Sequence, residues 1–415
     1  DVYKRQEKIL AKDPTSVEFN QYLTKYGYSN EHLPLDEWGI DELTLCAVFF
    51  HTKLDIAKKQ LALSNLAIQT AGVKNIPTIN GTIAHSNQRN GDIKPWAYGL
   101  SVDIPIETYN KRAIRIEKAE KYADAARLDV AETAWQLRNQ IAKDLIAYHQ
   151  NLAETELLAQ ELNTQTNIAN MLEKRVNAGF ASRTELSNVN LLTLKAKHLL
   201  NNKRNDINLI KAQLAADVGL SPEKFKQIKI KPLSIESKLL QHAEALKEPL
   251  QSKTLQAQAL LNRIDIRRSI AQYAAAEAEI KLQAAQQTPD IVLSPGILFE
   301  FGDKIWSLGF SSLLNMLNKN TALINQAEQL RAVEGAKFEN LQAETIAQIN
   351  QAHARYFGAL QTAKQAKVAL KEQTVQEQKM QRQFEAGFIG KLDFTKYTLS
   401  TLVAKQHQLT CLLYT

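Results

Sequence analysis

A stretch of 69 residues, from Asn110 to Ala178, contains neither glycine nor proline and constrains the fold more than any other feature. Ordinary globular helices run for about 8–20 residues, so a helix of this length is a coiled coil or is held by many neighbours. It would reach roughly 100 Å at the usual rise per residue. Apolar residues recur along one side at spacings of three and four, namely Leu137, Ile141, Leu145, Tyr148 and Leu152. This stripe is thin and flanked by many alanines, so the helix needs packing partners on both flanks.

The long helix is predicted to stop at Gly179, because glycine suits the left-handed residue that ends a helix. Ser182 or Thr184 can cap the next helix. A second stretch with helical periodicity runs from about Thr184 to Val218. The sequence therefore predicts a long antiparallel helical hairpin with a tight tip.

The same pattern returns in the second half of the chain. Gly387 follows Gly179 by 208 residues, and the residues around each glycine match. A strand-like segment at Trp96 is repeated at Trp306 in the corresponding place before the second long helix. Agreement in spacing at both the strands and the tips indicates an internal duplication.

Domain boundaries follow from this duplication. We expect a first helix from Asp41 to near Gly72. The two ends of the chain resemble translated adapter sequence, so we expect them to be non-native. The predicted divisions are an N-terminal arm at 1–40, a first repeat at 41–218 with a β-hairpin at 76–107 and a tip at 179, a connecting equatorial segment at 219–252, and a C-terminally truncated second repeat at 253–415 with a β-hairpin at 288–315 and a tip at 387.

The strand-like segments alternate large apolar residues with small or polar ones, so each has one apolar face and one polar face. About ten residues of such alternation with aromatic ends is typical of an outer-membrane β-barrel strand, although soluble sandwich strands look similar. Four strands cannot close a membrane barrel, and an open edge is not tolerated in lipid. If these strands lie in a membrane, several chains must share one barrel, and their long helices must gather into a tube. The alternative is a soluble or periplasmic coiled-coil scaffold, without a pore, whose β elements cap the bundle.

Composition excludes several other classes. The net charge of +7 over 415 residues is mild, and basic residues interleave with acids as on a solvated helix face, so we expect no nucleic-acid partner. The two cysteines and eight histidines show no metal-ligand spacing, and no phosphate loop or nucleophile elbow is present. We therefore expect no metal, no cofactor and no enzymatic activity. No apolar run is long enough for a membrane-spanning helix.

The tip sequences carry a resemblance to a known family. Ala178-Gly179-Phe180 is echoed by Ala386-Gly387-Phe388, and the first copy ends on Leu214-Ala215-Ala216-Asp217-Val218-Gly219-Leu220. Over roughly residues 36–410 the chain resembles the TolC-like outer-membrane efflux proteins. The resemblance implies a mainly α fold with a small β part, in which duplicated helical hairpins form a trimeric α-barrel. It also implies that four strands per chain contribute to a shared 12-stranded transmembrane β-barrel.

The family's role is implied in the same way. Such proteins are homotrimeric exit ducts of tripartite efflux or type I secretion-like systems, in the outer membrane of a Gram-negative bacterium with the helical part in the periplasm. They pass small toxic compounds, drugs or metal ions outward, and dock on a periplasmic adaptor and an inner-membrane transporter that supplies the energy. The adaptor itself is a second alternative, but an adaptor normally has one hairpin flanked by compact β domains.

Site residues carried over from the resemblance fall into three groups. The adaptor-docking tips comprise Arg175, Gly179, Phe180, Ser182, Gly387 and Phe388. The periplasmic entrance or gate comprises Glu185, Phe384 and Asp393. The membrane-belt aromatics, which face outer-membrane lipid, are Trp96, Tyr98, Phe299 and Trp306, because aromatic rings prefer the headgroup level.

Each of these residues can also be explained by a purely structural role. Glu185 and Asp393 form a carboxylate ring at a narrow mouth, or simply stabilise a helix N-terminus by about 0.3–1 kcal/mol each. Phe384 is a gate aromatic or a plain core residue. Arg175 has Gln383 as its counterpart in the second copy, so any role for it covers only half of the tips.

Overall fold

The computed structural model describes residues 12–87, 95–232, 252–300, 302–312 and 320–413. Most of these residues are helical and the four strands form one small antiparallel sheet, so the predicted mainly α fold with a small β part is confirmed. Residues 233–251, most of the predicted connecting segment, lie outside the described residues. The helices are α1 (Val17–Lys25), α2 (Ile40–Phe50), α3 (Thr52–Ala71), α4 (Lys111–Asn177), α5 (Arg183–Val218), α6 (Pro222–Phe225), α7 (Ser252–Asn262), α8 (Ile264–Ala285), α9 (Thr321–Glu385) and α10 (Lys391–Leu413). The strands are β1 (Thr78–His85), β2 (Trp96–Ile106), β3 (Ile291–Glu300) and β4 (Asp303–Ser312).

The described residues divide into two compact units. The helical unit lies within Asp1–Asp55, Ala134–Ala257 and Ile346–Thr415, and the sheet unit lies within Ile56–Thr133 and Gln258–Thr345. All four strands therefore belong to the sheet unit, and both tips belong to the helical unit.

The two longest helices are α4, with 67 residues, and α9, with 65 residues. Absence of glycine and proline lets α4 continue without a break, whereas α9 remains helical through Gly335 and Gly358. A helical glycine costs roughly 0.5–1 kcal/mol relative to alanine. A Cβ atom at Gly335 would lie 3.6 Å from the Tyr273 ring of α8, which is ordinary van der Waals contact, so an alanine would fit there.

Within the sheet unit, α4 and α8 run antiparallel and are joined by a ladder of ion pairs. As the residue numbers of the paired side chains increase along α4, those of their partners decrease along α8, so the two helices run in opposite directions. Each exposed pair contributes little to stability, but the series sets the register of the two helices. Its members are Glu117–Lys281 at 2.9 Å, Lys118–Glu279 at 2.5 Å, Asp129–Arg268 at 2.7 Å, and Glu132–Arg268.

The described part of the N-terminal arm packs into the core of the helical unit. Phe19 of α1 is fully buried and its ring stacks on Trp38 at 6.0 Å. The Trp38 backbone pairs with the connection after α6, since its N–H donates to the Lys229 carbonyl at 2.9 Å. These contacts belong to a core cluster that also contains Cys46 and Leu214. The arm is thus part of the hydrophobic core that α5 completes.

The single helix expected from Asp41 to near Gly72 is wrong in one respect, because the structure contains two helices, α2 and α3. His51 between them is extended, with φ −74° and ψ 126°. The end of α5 lies against this break: a Cβ atom at Gly219 would be 2.9 Å from the His51 Cα. Gly219 has φ +78° and caps α5, so close packing between distant segments accounts for the break, and helical periodicity alone does not reveal it.

Replacing Gly219 tests how much this close approach matters. We expect Gly219→Ala to lower the free energy of unfolding by about 2 kcal/mol or more, because alanine is strained at positive φ and its methyl group also meets backbone. Gly27→Ala is the matched control, since Gly27 also has positive φ but open space around it, and should cost about 1 kcal/mol. Thermal unfolding followed by circular dichroism measures both. Equal losses would show that the contact with His51 has no energetic weight.

Candidate functional site

The register of the sheet decides which side chains share a face. The strand order is β1-β2-β3-β4, and every neighbouring pair is antiparallel. Ile83, Tyr98, Phe299 and Lys304 pair in one row across all four strands. Residues two positions apart on a strand point to the same face. Alternate rows therefore belong to the same face as this row, and the rows between them belong to the opposite face.

One face, here called the apolar face, collects nearly all the large hydrophobic residues. Its apolar members are Ile79, Ile83, Trp96, Tyr98, Leu100, Val102, Ile104, Ile106, Ile291, Leu293, Pro295, Ile297, Phe299, Trp306, Leu308 and Phe310. The opposite face, here called the polar face, is mostly small or polar apart from Pro105, Val292, Leu298 and Ile305. It carries Thr78, Asn80, Thr82, Ala84, Ala97, Gly99, Ser101, Asp103, Ser294, Gly296, Glu300, Asp303, Ser307, Gly309 and Ser311.

The polar face is crowded along the two central strands, β2 and β3. Ala97 is only 7% exposed. A Cβ atom at Gly296 would lie 3.0 Å from the Ser101 Cβ and 3.1 Å from the Ser307 Oγ. Larger side chains would therefore collide at these positions of the central strands.

The apolar face, in contrast, is open to its surroundings. Trp306 is 79% exposed and Leu308 is 73% exposed, and a continuous apolar surface of this kind marks an interaction site. All four predicted membrane-belt aromatics lie on this face, in the three rows nearest the hairpin turns. Tyr98 and Phe299 are neighbours across two strands, with ring centroids 6.5 Å apart. The structure thus brings Trp96, Tyr98, Phe299 and Trp306 together at one end of the sheet.

Both outer edges of the sheet are unpaired. Among the described residues, β1 pairs only with β2, and β4 pairs only with β3. Each edge strand therefore presents a row of backbone N–H and C=O groups ready to pair with another strand.

A partly buried ion pair anchors the sheet to the start of α4. The Lys111 Nζ donates to the Asp290 Oδ1 at 2.7 Å and to the Thr288 carbonyl at 2.6 Å. The Thr108 backbone N–H donates to the same Asp290 oxygen at 3.0 Å. Burial raises the pKa of Asp290, but the hydrogen bonds from Lys111 and Thr108 and the charge of Lys111 together outweigh burial, so the pKa is lowered overall. The sequence offers no local signal for this contact, which joins residues far apart in the chain.

The two tips share one backbone geometry. Gly179 has φ +80° and Gly387 has φ +78°. The next residue in each tip, Phe180 or Phe388, donates its N–H to the carbonyl five positions earlier, at 2.8 and 2.9 Å respectively. This Schellman arrangement satisfies the last carbonyls of a helix. It leaves the Phe180 and Phe388 rings 83% and 82% exposed, so each tip presents one aromatic ring to its surroundings.

The side chains around the tips differ between the two copies. Ser182 caps α5 by accepting a hydrogen bond from the Glu185 N–H at 3.0 Å, whereas Gly390 stands in the equivalent place before α10. A Cβ atom at Gly390 would lie 3.4 Å from the Arg175 Nη2, so Arg175 of the first tip lies beside the second. Glu185 forms an ion pair with Lys396 at 3.5 Å, which sequence reasoning missed.

The predicted gate residues occupy the first and last turns of helices. Phe384, near the end of α9, stacks on Phe394 of α10 with ring centroids 5.4 Å apart and planes 7° apart. Asp393 lies in the first turn of α10, where its backbone N–H donates to the Gly390 carbonyl at 3.1 Å. These positions are compatible with a role at a gate, and equally with helix stabilisation by Asp393 and core packing by Phe384.

A carboxyl pair in the helical unit was not foreseen. Asp217, in the last turn of α5, lies beside Asp144 of α4, and the Gln140 Nε2 donates to the Asp144 Oδ2 at 3.0 Å. Burial first, and then the neighbouring Asp144 carboxyl group, raise the pKa of Asp217 to about 7, although Lys53 acts in the opposite direction. Two carboxyl groups in contact share a proton, since both cannot ionise at low cost.

Two kinds of feature are absent from the described residues. Within residues 12–87, 95–232, 252–300, 302–312 and 320–413, no group of three or more acidic, histidine or cysteine side chains is arranged to hold a metal ion. Among the helices in that part of the chain, none combines the length and apolar character needed to cross a bilayer.

Comparison with known proteins shows which family part of the chain resembles. Residues 51–220 match the sequence profile of the outer membrane efflux protein family. The predicted resemblance to TolC-like outer-membrane efflux proteins is thereby confirmed, and the fold agrees with it. No curated protein sequence matches the chain.

Solved structures share the fold at low sequence identity. The outer membrane protein VceC of Vibrio cholerae aligns with a TM-score of 0.66 and 16% identity, over 90% of this chain and 94% of that chain. The outer-membrane channel OprN aligns with a TM-score of 0.70 and 14% identity, over 98% and 92%. The CmeC outer membrane channel of Campylobacter jejuni aligns with 0.67 and 12%, over 90% and 82%. At such identities the likeness establishes the fold.

The shared proton of Asp217 predicts a pH-dependent stability. The folded-state pKa of about 7 exceeds the ordinary value of 3.8, so the folded protein binds the proton more tightly. The contribution of this proton to the free energy of unfolding is fully present below about pH 4. That contribution is lost as the pH rises to about 7. Asp217→Asn removes this proton, so its melting temperature should fall less over that interval and exceed that of the wild type above it.

Asp206→Asn is the matched control for this prediction, because Asp206 is an exposed acid on the same helix. Melting temperatures of the three proteins, measured across this pH range, decide the matter. A wild-type slope that persists in Asp217→Asn would show that the pair does not share a proton.

Proposed function

We propose that three copies of this chain form an outer-membrane exit duct of a tripartite efflux or type I secretion-like system. The observation that carries the proposal is a sheet with one open apolar face and two unpaired edges. Lipid covers the apolar face, and sheets of neighbouring copies pair edge to edge. The described strands of 8 to 11 residues compare with the roughly 9–11 residues that a tilted strand needs to span a bilayer.

Closure of the barrel requires more than one chain. In hydrocarbon every backbone N–H and C=O must find a partner within protein, so an open edge is not viable. Membrane barrels need about eight strands at least, and one chain contributes four. Three copies give a shared barrel of 12 strands, with the polar face lining the lumen. The proteins of similar fold named as channels support this assignment.

The helical part forms the periplasmic tunnel of the proposed duct. Its tips dock on a periplasmic adaptor through the exposed rings of Phe180 and Phe388, with Gly179, Ser182 and Gly387 shaping the surface. Arg175 holds the two tips of one chain together. An inner-membrane transporter supplies the energy, so this chain acts as a conduit and not as an enzyme. Small toxic compounds, drugs or metal ions leave through it to the exterior of a Gram-negative bacterium.

The periplasmic entrance lies next to the tips. Glu185 and Asp393, in the first turns of α5 and α10, line this entrance in the assembled trimer. Phe384 narrows it by stacking on Phe394. These roles complete the proposal, and they rest on position and on the resemblance to the family.

Two adjacent residues of the sheet test the membrane assignment. Leu308 lies on the apolar face and Ser307 lies on the polar face. We expect Leu308→Arg to be lost from the outer membrane, because an arginine facing lipid near the bilayer middle costs about 2–4 kcal/mol. The Ser307→Arg variant should remain in the outer membrane, because its arginine faces a water-filled lumen.

Outer-membrane fractionation and trimer detection by crosslinking measure the outcome for full-length protein. Recovery of wild type and both variants as soluble protein would refute the duct and favour the coiled-coil scaffold without a pore. Equal loss of both variants would contradict the assignment of the two faces.

The exposed tip rings test the docking role. We expect Phe180→Ser combined with Phe388→Ser to reduce efflux about tenfold, since exposed aromatic anchors contribute 1 kcal/mol or more each to an interface. Trimer formation should be unchanged, because neither ring packs within the chain. Drug or metal tolerance of a strain that depends on this duct provides the measurement.

Val17→Ser is the control for the tip variant, because Val17 is also an exposed apolar residue but lies on the N-terminal arm. Full tolerance in the double tip variant, with normal trimers, would exclude these rings from docking.

A further inference from the structure

An open cleft in the helical unit is lined by apolar residues on one side and by lysines on the other. Its volume is about 650 Å³, which falls within the roughly 300–1,000 Å³ of small-molecule sites. The cleft lies between α4, α5, α6 and the chain that follows α6, all of which belong to the helical unit. The residues that decide its chemistry are Tyr148, Asn208, Lys211, Phe225, Lys226 and Ile228.

The apolar side of the cleft is fixed by buried packing and by backbone hydrogen bonds. Phe225, the last residue of α6, is only 4% exposed and belongs to the core cluster of the helical unit. Its carbonyl accepts a hydrogen bond from the Ile228 N–H at 3.0 Å. Just beyond the cleft, the Lys231 N–H donates to the Trp38 carbonyl at 2.9 Å. This wall is therefore held in place without a ligand, which lowers the entropic cost of binding one.

The charges that line the cleft are all positive. Among the described residues, its lining includes three lysines and no acid. Lys229 is paired with Glu37, with 2.7 Å between the Nζ and the Oε1. Lys211 and Lys226 are exposed, and in the described part of the chain neither forms an ion pair with an acidic side chain. A cleft lined by one sign of charge concentrates ions of the opposite sign.

Lys211 stands at the mouth of the cleft beside a second hydrogen-bond donor. Its Nζ lies 5.6 Å from the centre of the Tyr148 ring of α4, which is within the range of a cation–π contact. Asn208 precedes Lys211 by three residues on α5, so the two side chains share a face of that helix. The ammonium group and the amide N–H groups can both donate to an oxyanion.

We propose that this cleft binds a small organic anion, namely a molecule with an apolar body and a carboxylate, phosphate or sulfonate group. The apolar body covers Phe225 and Ile228, and the anionic group is held by Lys211, Lys226 and Asn208. Apolar walls with a few polar groups that fix orientation are typical of small-molecule sites. Neither the pore nor the membrane enters this inference, so it does not depend on the proposed function.

The test uses naphthalene-2-sulfonate as the probe and neutral naphthalene-2-sulfonamide as its matched analogue. Isothermal titration calorimetry of the full-length protein at low salt measures both affinities, with detergent micelles titrated separately. We expect the sulfonate to bind about tenfold more tightly than the sulfonamide, because the ring is shared and only the charge differs. The difference should shrink at high salt, where charges are screened. Inorganic sulfate should bind more weakly than the naphthalene sulfonate, because it makes no apolar contact.

Two variants of the cleft separate the role of charge from that of shape. Lys211→Gln combined with Lys226→Gln should weaken binding of the sulfonate about tenfold and leave that of the sulfonamide unchanged. Ala212→Trp keeps both lysines but fills the cleft, since Ala212 is an exposed residue of its lining, and it should abolish binding of both probes. Thermal unfolding followed by circular dichroism checks that each variant is folded.

Lys195→Gln combined with Lys197→Gln is the matched control, because it removes two exposed lysines of the same helix outside the cleft. This control should keep the wild-type affinity for the sulfonate. Equal weakening by the two double variants would show that only overall charge matters and would overturn the inference. Equal affinity of wild type for both probes, no binding of the sulfonate, or full binding by folded Ala212→Trp would also overturn it, while leaving the proposed duct untouched.

Discussion

The obligation of every backbone polar group to find a partner governs the sheet of this protein. Four strands satisfy one another internally, but β1 and β4 each retain an outer edge without a partner among the described residues. The apolar face has no comparable cover, since Trp306 and Leu308 stay largely exposed. A water-soluble sheet normally buries its apolar face and blunts its edges. This sheet does neither, so its strands are suited to a setting that supplies both an apolar surface and further strands.

The sequence predicted the elements that depend on local pattern. Absence of glycine and proline predicted the length of α4, and Gly179 marked its end correctly because a left-handed residue is needed there. Strict alternation predicted the two faces of the sheet, since side-chain direction in a strand follows from parity alone. The four aromatics that share the apolar face were chosen because aromatic rings prefer the headgroup level, and their role at a membrane remains a prediction.

Features that depend on contacts between residues far apart in the chain could not be predicted from local sequence pattern. The break at His51 arises from packing against Gly219, and nothing in the helical periodicity around it signals a stop. The ion pair between Lys111 and Asp290 and the carboxyl pair of Asp144 and Asp217 join residues brought together only by the fold. Asp103 was visible in an alternating segment, but its hydrogen bond with Asn80 required the register of β1 on β2.

The internal duplication preserved backbone geometry more closely than side-chain chemistry. Both tips have the same Schellman hydrogen bonds and one exposed phenylalanine, so the turn itself is the shared element. Ser182 and Gly390 occupy equivalent positions but only the first caps its helix with a side chain. Arg175 lies beside the second tip while its counterpart is Gln383. The two hairpins of one chain are thus similar in shape and different in the contacts that they offer.

The small residues of the polar face have a consequence for traffic through the proposed duct. At Gly99 and Gly296 an added Cβ atom would lie about 3 Å from side chains of neighbouring strands, so longer side chains do not fit there. Among the described strand residues, this face also has no aromatic ring on which a passing molecule could stack, so contacts with it are limited to short polar side chains. Throughput is then favoured over recognition, and one outlet can serve chemically unrelated cargo that has been selected upstream.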